Sequence, residues 1–107
     1  LASRHEGWGV VINEALHSGL RVVCSDVCGG SILLNSDVLG STFKQGDVID
    51  LTSNLKNDIL SSRESFSEVR LKYLKNLTGE AVAKYLVDII NYNWYGKGSR
   101  PLPPWER

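Results

Sequence analysis

The first stretch with a readable rhythm runs from Gly9 to about Ser18, where Val10, Val11, Asn13, Glu14, Ala15 and Leu16 suit a helix. Gly19 is the residue type that ends one in the left-handed conformation. Leu20-Arg21-Val22-Val23-Cys24-Ser25 follows, a short, β-branched, nearly continuous apolar run of the kind a strand buried on both faces needs. A helix leading directly into such a strand is half of a βαβ unit, so the opening of the chain predicts a parallel α/β sheet with flanking helices. Asp26-Val27-Cys28-Gly29-Gly30 reads as a turn, Ser31 to Leu34 as a short apolar piece, and Gly40-Ser41-Thr42-Phe43 as a brief last strand.

From there the chain reads as helical. Asp47 caps a predicted helix running to about Leu60, with Asp50 three residues on, and Val48, Leu51, Leu55 and Ile59 recur at near-helical spacing. Ser61 with Glu64 repeats the capping pattern ahead of a stripe of Phe66, Val69, Tyr73 and Leu77. Thr78 caps the last helix, Leu77 and Val82 sit where a hydrophobic staple closes, and Val82, Tyr85, Leu86, Ile89 and Ile90 make one face. All three stripes predict core. No internal repeat or low-complexity tract interrupts them.

An α/β body over 1–93 is thus followed by a Trp/Pro-rich tail over 94–107. Its prolines impose extended geometry, and its tryptophans are costly to leave in water, so the tail is expected to dock. Arg100-Pro101-Leu102-Pro103-Pro104 resembles the start of a proline-rich SH3 ligand, but Glu106 stands where the next anchoring proline belongs.

Charge narrows the function classes. Twelve Lys+Arg balance twelve Asp+Glu in the 107 residues, so the footprint of a nucleic-acid binder is missing. No apolar run approaches the length of a membrane span and no signal peptide opens the chain, which reads as cytoplasmic. The chain begins at Leu1 and reaches a glycine turn within nine residues, as though cut in after a strand, so a fragment of something larger is expected. Cys24 and Cys28 are too few for a disulfide scaffold. His5 and His17 lie too far apart in sequence to complete a zinc-finger set, so no metal site is expected. Cys24 reads as a buried strand residue and Cys28 as part of the loop after it. Asn76-Leu77-Thr78 matches a glycosylation acceptor by chance, given no secretory signal.

The candidate chemistry lies in Glu6-Gly7-Trp8-Gly9-Val10-Val11-Ile12-Asn13-Glu14. On one continuous helix the two carboxylates would stand about 80° apart around the axis and about 12 Å apart along it. The glycine pair instead favours Glu6 in a loop and Glu14 on the helix, both looking into the crevice beyond a strand end where open α/β sheets bind ligands. Gly7 and Gly9 let backbone approach a phosphate at the helix N-terminus, and Gly29 and Gly30 offer further amides. As a dinucleotide fingerprint the pattern is incomplete, because Ile12 stands where the third glycine belongs. Carboxylates repel phosphate but accept from sugar hydroxyls, at about 1.5 to 3 kcal/mol per charge-assisted bond. Glycines for phosphate beside carboxylates for hydroxyls point to a nucleotide-sugar. Without that pattern Glu6 is a solvated loop residue and Glu14 a surface one. Packing is favoured for Trp8 over stacking on a ligand, and a loop role for His5 over a catalytic base.

Ser3-Arg4-His5-Glu6-Gly7-Trp8-Gly9-Val10-Val11-Ile12-Asn13-Glu14-Ala15-Leu16, with Gly19-Leu20-Arg21-Val22-Val23 and Ser25-Asp26-Val27-Cys28-Gly29-Gly30, resembles the C-terminal donor-binding domain of retaining GT-B glycosyltransferases, family 4. The resemblance runs through Gly46-Asp47 and, more loosely, to the last helix. It implies a partial Rossmann-like domain over 1–93 that binds a UDP-, GDP- or ADP-sugar and serves transfer to a glycan or lipid-linked acceptor with retained configuration. In that family the first glutamate of E-x7-E contacts the transferred sugar and the second the ribose, implying Glu6 as the catalytic-site residue and Glu14 as a donor ligand. Gly7, Trp8, Gly9, Gly29 and Gly30 complete the implied substrate-binding set, with neither metal nor cofactor. Arg21 departs from the family's usual proline. The family's diphosphate-gripping basic residues and N-terminal acceptor-binding domain have no counterpart here, so the chain alone is expected to be inactive. The resemblance also extends to peripheral membrane association of the full-length enzyme at the inner face. The alternative reading is a non-catalytic α/β interaction module with a proline-rich tail.

Overall fold

β1 (Val22–Ser25) and β2 (Gly40–Phe43) pair in parallel, Val22 opposite Gly40 through Ser25 opposite Phe43. The protein, a computed structural model, is described for residues 1–60, 71, 74–96 and 98–106. The Ser61/Glu64 capping pattern and Phe66, Val69 and Tyr73 lie outside the described residues. The described chain is mixed α/β and divides into two compact units, Leu1–Arg70 and Leu71–Arg107.

In the first unit α1 (Val10–His17) precedes β1, as the apolar spacing predicts. The Leu1 ammonium donates to the Val23 carbonyl at 2.7 Å, and Ser25 N–H donates to the Leu1 carbonyl at 3.0 Å. Leu1 therefore bonds to both sides of Cys24 in the parallel manner, and α1 connects this N-terminal segment to β1, while the sheet of the described residues has two strands, β1 and β2. The buried Ser25 hydroxyl fastens the same segment by donating to the Ser3 carbonyl at 2.7 Å. Ile12 and Leu16, four apart on α1, bury with Val22, Cys24, Leu33, Leu39 and Phe43. The Ser31–Leu34 piece overlaps a 3-10 helix, Gly29–Leu33, which ends one residue short of Leu34 and whose Leu33 enters this core.

α2 (Val48–Leu60) begins where the sequence places it. Asp47 Oδ1 accepts from the N–H groups of Ile49 and Asp50, at 3.0 and 2.9 Å. The capping box is not reciprocal, because Asp50 Oδ2 accepts from Lys44 N–H rather than from Asp47. The core expectation for this helix fails: it has no buried residue, and Val48, Leu55 and Ile59 are exposed. Its partly buried positions are instead Asp50, Leu51, Asn54 and Asp58, an i, i+4, i+8 row of mostly polar residues. Asp58 ion-pairs with Arg21 at the start of β1, which selects that row as the inner face. Arg21, read from sequence only as a change of turn, ties β1 to α2.

In the second unit α3 (Gly79–Tyr95) starts at Thr78, whose Oγ1 accepts from Ala81 N–H at 3.2 Å, and ends at Gly96 with φ 61°. Leu77 is buried and Val82 half-buried at the staple positions. The predicted α3 face is likewise not core: Leu86 and Ile90 are exposed, and Val82, Tyr85 and Ile89 are half-buried. The helix takes in Trp94 and Tyr95 before the tail turns back. There Pro104 is buried, in a 3-10 turn, Pro104–Glu106, and the Trp105 ring meets Tyr85 edge-on at 5.9 Å and 71°. The tail docks on its own helix. No helix among the described residues is long and apolar enough to cross a membrane.

Two measurements check this account. Asp47→Ala removes an N-cap acceptor and should cost about 1 kcal/mol, read by chemical denaturation. Burial pushes the Cys24 thiol up from 9.0 to about 11; neighbouring Cys28 adds to the rise and the amino terminus opposes it. The unfolded chain therefore loses this proton first, so stability present below pH 9 falls as pH climbs from there to about 11. Melting curves across that window should decline less steeply in Cys24→Ala.

Candidate functional site

Three parallel runs end at one edge of the first unit: the N-terminal segment, β1 and β2. Their following loops are stitched together. Gln45 N–H donates to Asp26 Oδ1, and Gln45 Nε2 donates to the Arg4 carbonyl, each at 2.9 Å. Glu6 and Cys28 form an isolated parallel bridge one step further on. Beyond it Gly29 N–H donates to the Gly7 carbonyl at 2.9 Å, and Gly30 N–H to the Trp8 carbonyl at 2.7 Å.

These two bonds require glycine on the donating side. A Cβ on Gly29 would lie 2.2 Å from the Gly7 carbonyl oxygen, and one on Gly30 would lie 2.5 Å from that of Trp8. From sequence the Gly29 and Gly30 amides are further donors available to the cleft; in the structure both donate to the neighbouring loop. What they provide is close approach of two backbones. Gly7 is unlike them, since a Cβ there would meet nothing within 4 Å.

Gly9 is buried, adopts φ 74° and stands at the N-cap of α1. No side chain caps this helix; in its first turn Ile12 N–H donates to the Gly9 carbonyl at 2.9 Å, and the amides before it have no side-chain acceptor. Trp8 lies on the adjoining loop, and its indole N–H donates to Oδ1 of Asn13 at 3.1 Å. That bond clamps the loop to the first turn of α1, a role for Asn13 that sequence spacing did not reveal. Trp8 is 39 % exposed, so packing and solvent share it.

Glu6 is in the loop and half-buried, while Glu14 is on α1 and exposed, the division the glycine pair predicts. Among the described residues neither carboxylate is held by a hydrogen bond or ion pair. His5 is exposed in the same loop. Cys24 and Cys28 are both buried free thiols beneath it, with the Ser25 hydroxyl 3.4 Å from Cys28 Sγ. No cluster of metal-ligating side chains occurs among the described residues. Glu6 on the loop and Glu14 on the exposed side of α1 are two separate carboxylate acceptors, and the α1 N-terminus adds main-chain amides other than that of Ile12, which donates to the Gly9 carbonyl at 2.9 Å.

The two glycine positions separate space from function. Gly29→Ala should destabilise by several kcal/mol or prevent folding, whereas Gly7→Ala should cost about 1 kcal/mol or less. Thermal melts of the two variants side by side check this, and equal effects would contradict the close approach.

No family model, curated protein or solved structure matches the chain.

Proposed function

We propose that this chain is the donor-binding part of a retaining GT-B glycosyltransferase, family 4, with a partial Rossmann-like domain that holds a nucleotide-sugar. The observation that carries the reading is the Glu6–Gly9 turn. It leaves the end of a parallel run, is pinned at Gly29 and Gly30, and delivers an uncapped α1 with Glu14 on its second turn. Ligands of open α/β sheets lie in the crevice beyond the strands' carboxyl ends, the edge on which these loops gather.

In this reading the diphosphate lies over the α1 N-terminus, where amides and helix dipole favour an anion. Glu14 accepts from ribose hydroxyls and Glu6 from hydroxyls of the transferred sugar. Each is a charge-assisted bond from a neutral donor. Gly29 and Gly30 shape the turn without donating to the ligand, and Trp8 holds it against Asn13. Departure of the diphosphate needs stabilisation by positive groups supplied with the acceptor-binding domain, so transfer requires that partner. The full-length enzyme would work in the cytoplasm, at the inner membrane face where the acceptor is lipid-linked. A non-catalytic interaction module is the second reading; its proline-rich signal is weakened by Pro104, which is buried.

Titration of the chain with UDP-, GDP- and ADP-sugars, followed by amide NMR, tests the proposal. Shifts should cluster from Glu6 to Glu14 with affinity on the order of millimolar, and Glu14→Ala should weaken it about tenfold or more. The purified chain should transfer no sugar. Absence of shifts there with every nucleotide-sugar would refute the donor site.

A further inference from the structure

The second unit carries an open groove of about 530 Å³, lined by Asp88, Asn91, Tyr92, Tyr95, Ser99 and Pro101. Its two walls have separate origins. The first four residues fall at i, i+3, i+4 and i+7 on α3, one face of the helix. The last two come from the tail, which reverses through Gly96 and Gly98, with φ 61° and 86°. Buried Pro104 and the Trp105–Tyr85 contact then hold the returning tail on α3. The groove is thus a built feature of the second unit, formed by α3 and its own tail.

Its chemistry is mixed in a particular way. Two phenol rings supply apolar faces with polar tips, and Asn91 and Ser99 supply both donors and acceptors. Among the described lining residues the one carboxylate, Asp88, is paired with Lys84, whose Nζ lies 2.9 Å from Oδ2. A free amine therefore finds little unneutralised charge. An anion finds no basic side chain among the described lining residues. A polyhydroxylated neutral molecule finds flat rings for its C–H faces and paired donors and acceptors for its hydroxyls, in a volume within the range of small-ligand sites.

We propose that this groove is a binding site for a neutral oligosaccharide, independent of the nucleotide-sugar reading and of any transfer reaction. The test uses the whole chain, with maltotetraose, cellotetraose, chitotetraose and mannotetraose as probes and choline chloride as the cationic control. At least one glycan should shift amides between Asp88 and Pro101 at concentrations on the order of 10 mM. Asn91→Ala and Tyr95→Ala, both at exposed positions, should each weaken that binding about fivefold or more while leaving the spectrum of the free chain folded. Ser99→Ala, on the other wall, provides a third variant if either helix substitution perturbs the fold. Three results would overturn the proposal: no shifts in this segment from any of the four glycans, glycan shifts undiminished in folded variants, or shifts from choline alone. Since the probes carry no nucleotide and the readout is 88–101, failure here is distinct from failure at residues 6–14.

Discussion

Two backbone hydrogen bonds, from Gly29 to Gly7 and from Gly30 to Trp8, govern the geometry of the first unit's upper edge. They bring the loop after the N-terminal segment against the loop after β1 at a separation no side chain permits. Everything local follows from that contact. Glu6 is drawn into a bridge with Cys28, Gly9 takes the left-handed conformation that starts α1, and Trp8 reaches Asn13. Cys24 and Cys28 lie buried below, and the Ser25 hydroxyl joins β1 to the same segment. The carboxylates are set in place by main chain, not by partners of their own.

The small sheet explains the second feature, the polar inner row of α2. Two four-residue strands offer a limited apolar surface, and α1 with Leu33 and Leu39 already occupies much of it. What remains for α2 is the end of β2, where Lys44 N–H needs an acceptor, and Arg21, whose charge needs a counter-ion. Asp50 and Asp58 answer those two demands. Satisfying a partly buried guanidinium outranks burying Ile59 or Val48, since an unpaired charge costs more than an exposed aliphatic side chain recovers.

Elements governed by adjacent residues were legible before the structure. Asp47 and Thr78 declare their helices because capping uses a side chain and amides two or three residues on. β2 was readable at Gly40–Phe43, and α1 within a residue at each end. The division of Glu6 to the loop and Glu14 to the helix was legible for the same reason. Features that join distant residues were not. Whether an amide at Gly29 serves a ligand or another loop depends on Gly7, 22 positions away. The inner face of α2 depends on Arg21, and a hydrophobic period cannot report an ion pair made across the fold. Of the two tryptophans from which the sequence predicts a docked tail, only Trp105 docks, and its seat against Tyr85 depends on the return through Gly96 and Gly98; Trp94 lies on α3 and is exposed.

The two candidate surfaces of the chain rest on opposite physics. Around Glu6 the shape is made by backbone against backbone, so it is intolerant of an added Cβ at Gly29 or Gly30 and indifferent to most side-chain chemistry nearby. Around Asp88 the shape is made by side chains on one helix face and by a tail turned back on it. There identity matters residue by residue, while the backbone of α3 would form without any of the lining groups. The first kind of site fits a ligand recognised through phosphate oxygens and a few hydroxyls, where main-chain amides serve without regard to sequence. The second fits a ligand with many weak, directional contacts, where aromatic faces and neutral hydrogen-bonding groups add up in small increments. The partners proposed for the two surfaces therefore differ in chemical class, and the two units can be tested separately.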